Sequence, residues 1–262
     1  MSEGYRTLSI EQRQGAEWLT LDRPESLNAM NGEMIDELLR YFTGLEYRSE
    51  VRVVVLRGAG RGFCAGLDLN DMAGVEDPGS ADEALPLQRR LSRLILAMRR
   101  CPPPIVCLLH GAASGGGFAL ALASDIRIAS SDARMNAAFI KVGLTGCDVG
   151  VSYHLPRIVG GALAAELLMT GRFLDAERAL AHGVVSEVVE PQALHGAGET
   201  LVGELLQAAP KALQLTKEAL DANVAAPSLE SAVALEDRQQ ALCLTSGEFA
   251  RRVAAFRKRG TS

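Results

Sequence analysis

Apolar positions along the chain keep two different periods, and the changes between them mark out its elements. Thr7 to Ile10 and Glu17 to Leu21 read as strands, the second given apolar bulk by Trp18, Leu19 and Leu21. After Asn31, a plausible N-cap, Met34, Ile35, Leu38, Leu39 and Phe42 recur at helical spacing. Val51 to Leu56 is an almost unbroken β-branched run, which suits a strand covered on both faces, and Ile105 to Leu109 is a second such run. Each leads into a glycine-bearing turn, and the second turn leads into a helix predicted over Phe118 to Ala123. Between them the pattern predicts a helix from about Leu87 to Arg100, apolar at Leu91, Leu94, Ile95 and Met98, with its arginines on a solvated face. Asp125 to Ala129 and Arg134 to Ala138 read as further strands. From Val151 onward the period is helical, broken by the β-branched run Val184 to Val189. This order predicts a mixed α/β domain over residues 1–200 and a helical region over 201–262.

One segment has no period. Asp71 to Ala84 contains Gly74, Pro78, Gly79 and Ser80 with five acidic residues, and reads as a mobile loop able to cover a site. The charge-free stretch between Arg100 and Asp125 is no membrane span. Three prolines open it and Gly111 and Gly115 to Gly117 interrupt it, so no continuous helix of about 20 apolar residues can form.

Composition narrows the possible functions. With 48% hydrophobic and 23% charged residues the chain can bury a core, and a net charge of −5 supplies no basic footprint for nucleic acid. The five cysteines, Cys64, Cys101, Cys107, Cys147 and Cys243, show no zinc-type spacing and read as free thiols. The N-terminus lacks a secretory pattern, so the cytoplasm is the expected compartment. The histidines, at 110, 154, 182 and 195, have no ligand spacing, so no metal site is expected. The alanine- and leucine-rich last third carries more apolar positions than a monomer's surface needs, or else forms an ordinary helical core.

The candidate chemistry lies in the two glycine segments, Arg61-Gly62-Phe63-Cys64-Ala65-Gly66-Leu67-Asp68-Leu69 and His110-Gly111-Ala112-Ala113-Ser114-Gly115-Gly116-Gly117. Each follows an apolar run and leaves backbone N–H groups uncovered by bulky side chains. Two such donors aimed at one point can hold an oxyanion. Gly116 opens a helix, where unpaired N–H groups and the helix dipole both favour negative charge.

These two segments, the early Leu21-Asp22-Arg23-Pro24-Glu25-Ser26-Leu27-Asn28-Ala29-Met30, the Val184-Val185 pair and the ending Ala254 to Arg259 occur in an order that resembles the crotonase superfamily, the enoyl-CoA hydratase/isomerase group. The resemblance implies an α/β fold, a crotonase-like ββα superhelix with a C-terminal helical trimerisation region, and assembly as a homotrimer or a dimer of trimers. It implies an acyl-CoA thioester as ligand, bringing its own coenzyme A, with no separate cofactor and no nucleic-acid or membrane partner. The thioester oxygen would sit between the N–H groups of Leu67 and Gly116. Arg23, Phe63, Ala65, Gly66, Asp68, Gly115 and Phe139 are the implied substrate and coenzyme contacts, with Phe256 and Lys258 reaching a neighbouring subunit's ligand.

The chain departs from the hydratases of that group. They use two glutamates, and the corresponding positions here are Ala119 and a place near Phe139, neither of which transfers a proton. A carboxylate remains at Asp148, in a turn resembling that of family members whose aspartate moves a proton or attacks as a nucleophile. An aspartate between glycines before a helix is equally a turn or capping residue. The expectation is a thioester enolate enzyme with Asp148 as acid–base group, favouring isomerisation over two-glutamate hydration. A thioester hydrolase or dehalogenase using Asp148, and a non-catalytic acyl-CoA-binding protein, stand as alternatives.

Overall fold

The computed structural model describes residues 4–72 and 80–259, in two compact units, Met1–Gly203 and Glu204–Ser262. The strands are β1 (Leu8–Arg13), β2 (Ala16–Leu21), β3 (Val53–Gly58), β4 (Ile105–Leu109), β5 (Ala112–Ser114), β6 (Ile126–Ser130), β7 (Arg134–Asn136), β8 (Leu174–Asp175) and β9 (Glu187–Val189). The helices are α1 (Gly32–Gly44), α2 (Leu69–Met72), α3 (Ala81–Arg100), α4 (Gly116–Ala123), α5 (Val151–Val159), α6 (Gly161–Thr170), α7 (Ala176–Ala181), α8 (Leu194–Gln207), α9 (Pro210–Asn223), α10 (Leu229–Thr245) and α11 (Glu248–Arg259).

In the first unit, β1-β2-β3-β4-β6-β9 form one sheet, antiparallel at β1/β2 and parallel elsewhere. The parallel strands β3 and β4 are the two β-branched runs, and their buried residues explain why the sequence shows no alternation there. A smaller sheet, β5-β7-β8, carries the turns that follow β4 and β6. Helix α1 starts where the Asn31 side chain accepts the Met34 N–H, and buries Met34, Ile35, Leu38 and Phe42. Helix α4 is buried at every residue, as its uniformly apolar sequence requires.

Four expectations need correction. Helix α3 begins at Ala81 and not near Leu87, because the Ser80 side chain caps the Glu83 N–H and Asp82 and Glu83 favour the positive N-terminal end; Pro86 is accommodated inside the helix. The acidic loop is shortened accordingly, with Asp71 inside α2, and its remainder, residues 73–79, lies outside the described residues. Helix α4 begins at Gly116 and not Phe118: Gly115 alone makes the turn, at φ +51°, ψ −116°, and Gly116 and Gly117 are already helical. Strand β7 stops at Asn136, where a 3-10 turn over Ala138–Val142 takes over, and of the Val184 to Val189 run only Glu187–Val189 pairs in the sheet.

The second unit holds α9, α10 and α11. Pro210 opens α9 at a position whose N–H would be unpaired in any case, and Ser228 and Ser231 form a reciprocal cap on α10. Among the described residues no helix is long and apolar enough to cross a membrane.

Candidate active site

The first glycine segment is shaped by Asn28. Leu27 and Asn28 both adopt left-handed backbone, at φ +51° and +55°, which an asparagine tolerates far better than most residues. The Asn28 side chain is fully buried; its amide nitrogen donates to the carbonyls of Ala59 (2.8 Å), Gly62 (2.9 Å) and Phe63 (3.2 Å), and its oxygen accepts the Arg23 N–H (2.9 Å). The Arg23 N–H contact fixes which end of the amide is oxygen. One side chain therefore gathers the carbonyls of the whole turn.

Beyond it the segment runs parallel to β5. Phe63 N–H donates to His110 O (2.9 Å), Cys64 N–H to Ala112 O (3.0 Å), and Ser114 N–H to Cys64 O (2.9 Å). On the opposite side, Met30 N–H donates to Gly66 O (2.7 Å) and Asp68 N–H to Met30 O (3.0 Å). Alternation along extended chain then turns the Leu67 N–H away from Met30. Among the described residues neither Leu67 N–H nor Gly116 N–H has a hydrogen-bond partner.

The glycines let the two segments touch. A Cβ on Gly117 would lie 2.2 Å from Cys64 O, and one on Gly66 would lie 2.8 Å from Ser114 O and 3.5 Å from Gly116 N. Gly66 also has φ +105°, so its absent side chain answers both a close approach and a backbone conformation. The pair of free amides is thus fixed by backbone contacts on both sides, with Gly116 at the positive end of α4.

Leu67 and Gly116 open onto a tight cavity of about 10 Å³, also lined by Met30, Leu91, Leu94, Ile95, Leu120, Phe139, Asp148 and Val149. Among the described residues Asp148 is the one ionisable residue that lines it. It is half-buried, and Oδ1 accepts the Val149 N–H (2.7 Å) and the Gln88 side-chain amide. Val149 has φ +37°, rare for a β-branched residue and costing on the order of 1–3 kcal/mol. Gly150 follows in left-handed backbone as the N-cap of α5. This strained turn places Asp148 on the cavity wall. Ala119 is buried in α4, and Phe139 forms part of the cavity wall, 3.5 Å from where a Gly115 Cβ would be.

The sequence-expected residues divide into groups. Leu67, Gly116, Phe139 and Asp148 share the cavity, and Gly66 and Gly115 shape its backbone. Arg23 and Asp68 are engaged with each other: Arg23 Nη1 donates to Asp68 Oδ2 (2.9 Å) and to Ala29 O (2.5 Å). The Arg23 guanidinium holds the Asp68 carboxyl below the usual range, against a smaller opposing effect of burial. The pair ties the early signature to the first glycine segment. The Phe63 side chain is buried and its N–H and C=O are both used within the protein, whereas Ala65 is half-exposed. Phe256 and Lys258 lie on α11 in the second unit, where Phe256 is 79% exposed. Burial pushes the Cys64 thiol up to about 12, so this cysteine beside the site is no nucleophile.

Gln88 escaped the sequence reading. Its signal was there: with Leu91, Ile95 and Met98 it occupies the apolar stripe of α3, a lone polar residue at helical spacing on a buried face. The second unit has a larger groove of its own, about 710 Å³, between α9, α10 and α11, lined by Leu215, Leu220, Cys243 and Phe249 among others. The free amides and the Asp148 carboxylate belong to the small cavity, and volume alone is a poor guide to the chemistry.

Known proteins share this fold and much of this sequence. The profile of the enoyl-CoA hydratase/isomerase family matches residues 11–261. A Mycobacterium tuberculosis protein named a probable enoyl-CoA hydratase is 38% identical over 90% of this chain and 85% of its own. The 1,2-epoxyphenylacetyl-CoA isomerase of Escherichia coli is 36% identical over 92% of each chain. The crystal structure of an enoyl-CoA hydratase from Mycobacterium smegmatis superposes with a TM-score of 0.90 at 32% identity, covering 97% of both chains. The chain belongs to the enoyl-CoA hydratase/isomerase family, within the crotonase superfamily, and is an acyl-CoA enzyme of that group.

Proposed function

We propose that the protein converts an acyl-CoA thioester through its enolate, and that it isomerises rather than hydrates. The observation that carries this reading is that, among the described residues, one carboxylate, Asp148, lines an otherwise apolar cavity that also receives the free amides of Leu67 and Gly116. Those amides bind the thioester oxygen and stabilise the charge it gains. The Asp148 carboxylate takes a proton from carbon, the electron pair moves into the thioester carbonyl, and the resulting acid returns the proton to another carbon. One group can perform both transfers. Hydration by two carboxylates lacks its second member, because Ala119 and Phe139 cannot carry a proton. The isomerase activity in the name of the Escherichia coli relative supports the same choice.

Coenzyme A enters as part of the substrate, and no further cofactor is required by these steps. Exposed Leu220, Val224, Leu229, Leu242, Leu244 and Phe249 in the second unit support assembly as a homotrimer or a dimer of trimers, which sedimentation tests directly.

The activity is tested by incubating the protein with saturated, 2-enoyl, 3-enoyl and aryl thioesters of coenzyme A in deuterated water. Mass spectrometry should show deuterium at carbon and a shifted double bond, without added water, and Asp148→Asn should abolish both. Transfer of solvent oxygen to a released acid would identify a hydrolase with Asp148 as nucleophile. Tight binding with neither exchange nor turnover would identify a binding protein.

A further inference from the structure

The two oxygens of Asp148 are not equivalent. Oδ1 accepts the Val149 N–H at 2.7 Å and the Gln88 side-chain amide, whereas Oδ2 has no partner among the described residues. Gln88 sits one turn before Leu91 on the helix that walls the cavity, so its amide reaches Asp148 from a different element than the strained Val149 turn. The Gln88 Nε2 donates here, so its donor fills Oδ1 and disfavours a proton there.

We propose that Gln88 is a positioning residue for the reaction: it anchors Oδ1, keeps the carboxylate aimed into the cavity, and leaves Oδ2 as the oxygen that takes the substrate proton and gives it back. The inference rests on the enolate reading above. In the forward step the C–H bond breaks, its proton joins Oδ2, and its electron pair passes to the thioester oxygen held by Leu67 and Gly116. In the return step the Oδ2–H bond breaks and a new C–H bond forms, so Oδ1 never carries the proton. Ionisable groups on the elements packed against Asp148 include Asp82, Glu83, Arg89, Arg90, Arg93, Arg99 and Arg100 on α3, Lys141 on the 3-10 turn, and Tyr153, His154 and Arg157 on α5. Arg90 is bound to Asp36 and Gly32 O, Arg89, Arg93 and Lys141 are exposed, Arg157 lies over the Tyr153 ring, and the His154 ring lies beside Gly150.

The test uses the full chain, with aspartate carboxyl carbons labelled by ¹³C and Asp148 assigned by its loss in Asp148→Asn. Gln88→Leu and the nearly isosteric Gln88→Met should change the ¹³C shift of the Asp148 carboxyl, which loses a donor at Oδ1. With 3-hexenoyl-CoA as probe, both should lower kcat about tenfold and leave KM within about twofold, and Gln88→Glu, which as a carboxylate cannot donate, should not restore kcat. An unmoved carboxyl resonance and unchanged kcat in both apolar Gln88 variants, with Asp148→Asn inactive, overturns the role of Gln88 alone. Full exchange in Asp148→Asn overturns Asp148 as the base, and absence of exchange with the wild-type chain overturns the enolate reading itself.

Discussion

Replacing Asn28 by aspartate puts the architecture of the first glycine segment to a quantitative test. The change keeps the side chain's size, its tolerance of left-handed backbone and the oxygen that accepts the Arg23 N–H. It replaces the amide nitrogen with an oxygen, and that atom faces three carbonyl oxygens, of Ala59, Gly62 and Phe63, at 2.8, 2.9 and 3.2 Å, in a site with no solvent exposure. The Arg23 guanidinium is already committed to Asp68 and Ala29 O. An anion there would have no counter-charge of its own, so the folded protein must keep the new carboxyl protonated. The unfolded chain releases that proton above about pH 3.9. The folded state then holds a proton the unfolded state has lost, and stability relative to wild type falls as pH rises, by about 1.4 kcal/mol per pH unit. At pH 7 the deficit is about 1.36 × (7 − 3.9), or roughly 4 kcal/mol, with about 1 kcal/mol more for the lost second donor.

Urea unfolding followed by fluorescence reads this directly, since Trp18 is the single tryptophan and is buried in the same unit. Between pH 6 and pH 7 the gap between Asn28→Asp and wild type should widen by about 1.4 kcal/mol. Asn28→Ala, with no titrating group, should show a constant deficit. A pH-independent deficit in Asn28→Asp would mean that the turn accommodates an anion, and the carbonyl cradle would not be what holds it.

Gly117→Ala drives a methyl group to 2.2 Å from Cys64 O and must separate α4 from the first glycine segment. We expect about 1–3 kcal/mol of destabilisation in urea melts and a loss of about 10²–10³ in exchange rate, with stability lost but exchange intact counting against the paired-amide site. Asp68→Asn removes the partner of Arg23 and should cost roughly 1.5–3 kcal/mol at neutral pH. The Asp68 carboxyl is held below its usual range, so its stabilisation is present above about pH 4 and is lost as pH falls through the lowered folded value; the difference between variant and wild type in urea melts should shrink in acid. Iodoacetamide at pH 8 followed by peptide mapping should modify exposed Cys147 first, while Cys64 and Cys107, whose thiols burial pushes up to about 12, react only after unfolding.

Periodicity made the sheet strands and the core of α1 legible, because each records a repeating choice between burial and solvent, and that choice is written residue by residue. The cap at Asn31 and the glycine turns were legible for a similar reason: they depend on local backbone geometry and on side chains a few residues away. The start of α3 was obscured because Gly79 and Ser80 read as loop chemistry, whereas Ser80 is a cap. The start of α4 was obscured because Gly116 and Gly117 were read as part of the turn, while Gly115 alone makes it.

By itself the sequence determined which segments become strands and helices, and that two glycine segments follow buried strands. It also placed a carboxylate at Asp148, without saying whether that aspartate caps a turn or faces a site. Only the tertiary structure decided this, because the answer depends on contacts between segments far apart in the chain. Gln88 lies 60 residues from Asp148, and Cys64 and Gly117 come together from separate turns. Arg23, read alone, is a cation available to a ligand; folded, it faces Asp68 and Ala29 O, and its charge serves the turn that presents the Leu67 amide. Local pattern encodes burial, but the direction a polar group points is set by packing, and here packing brings the free amides and one carboxylate to the same cavity.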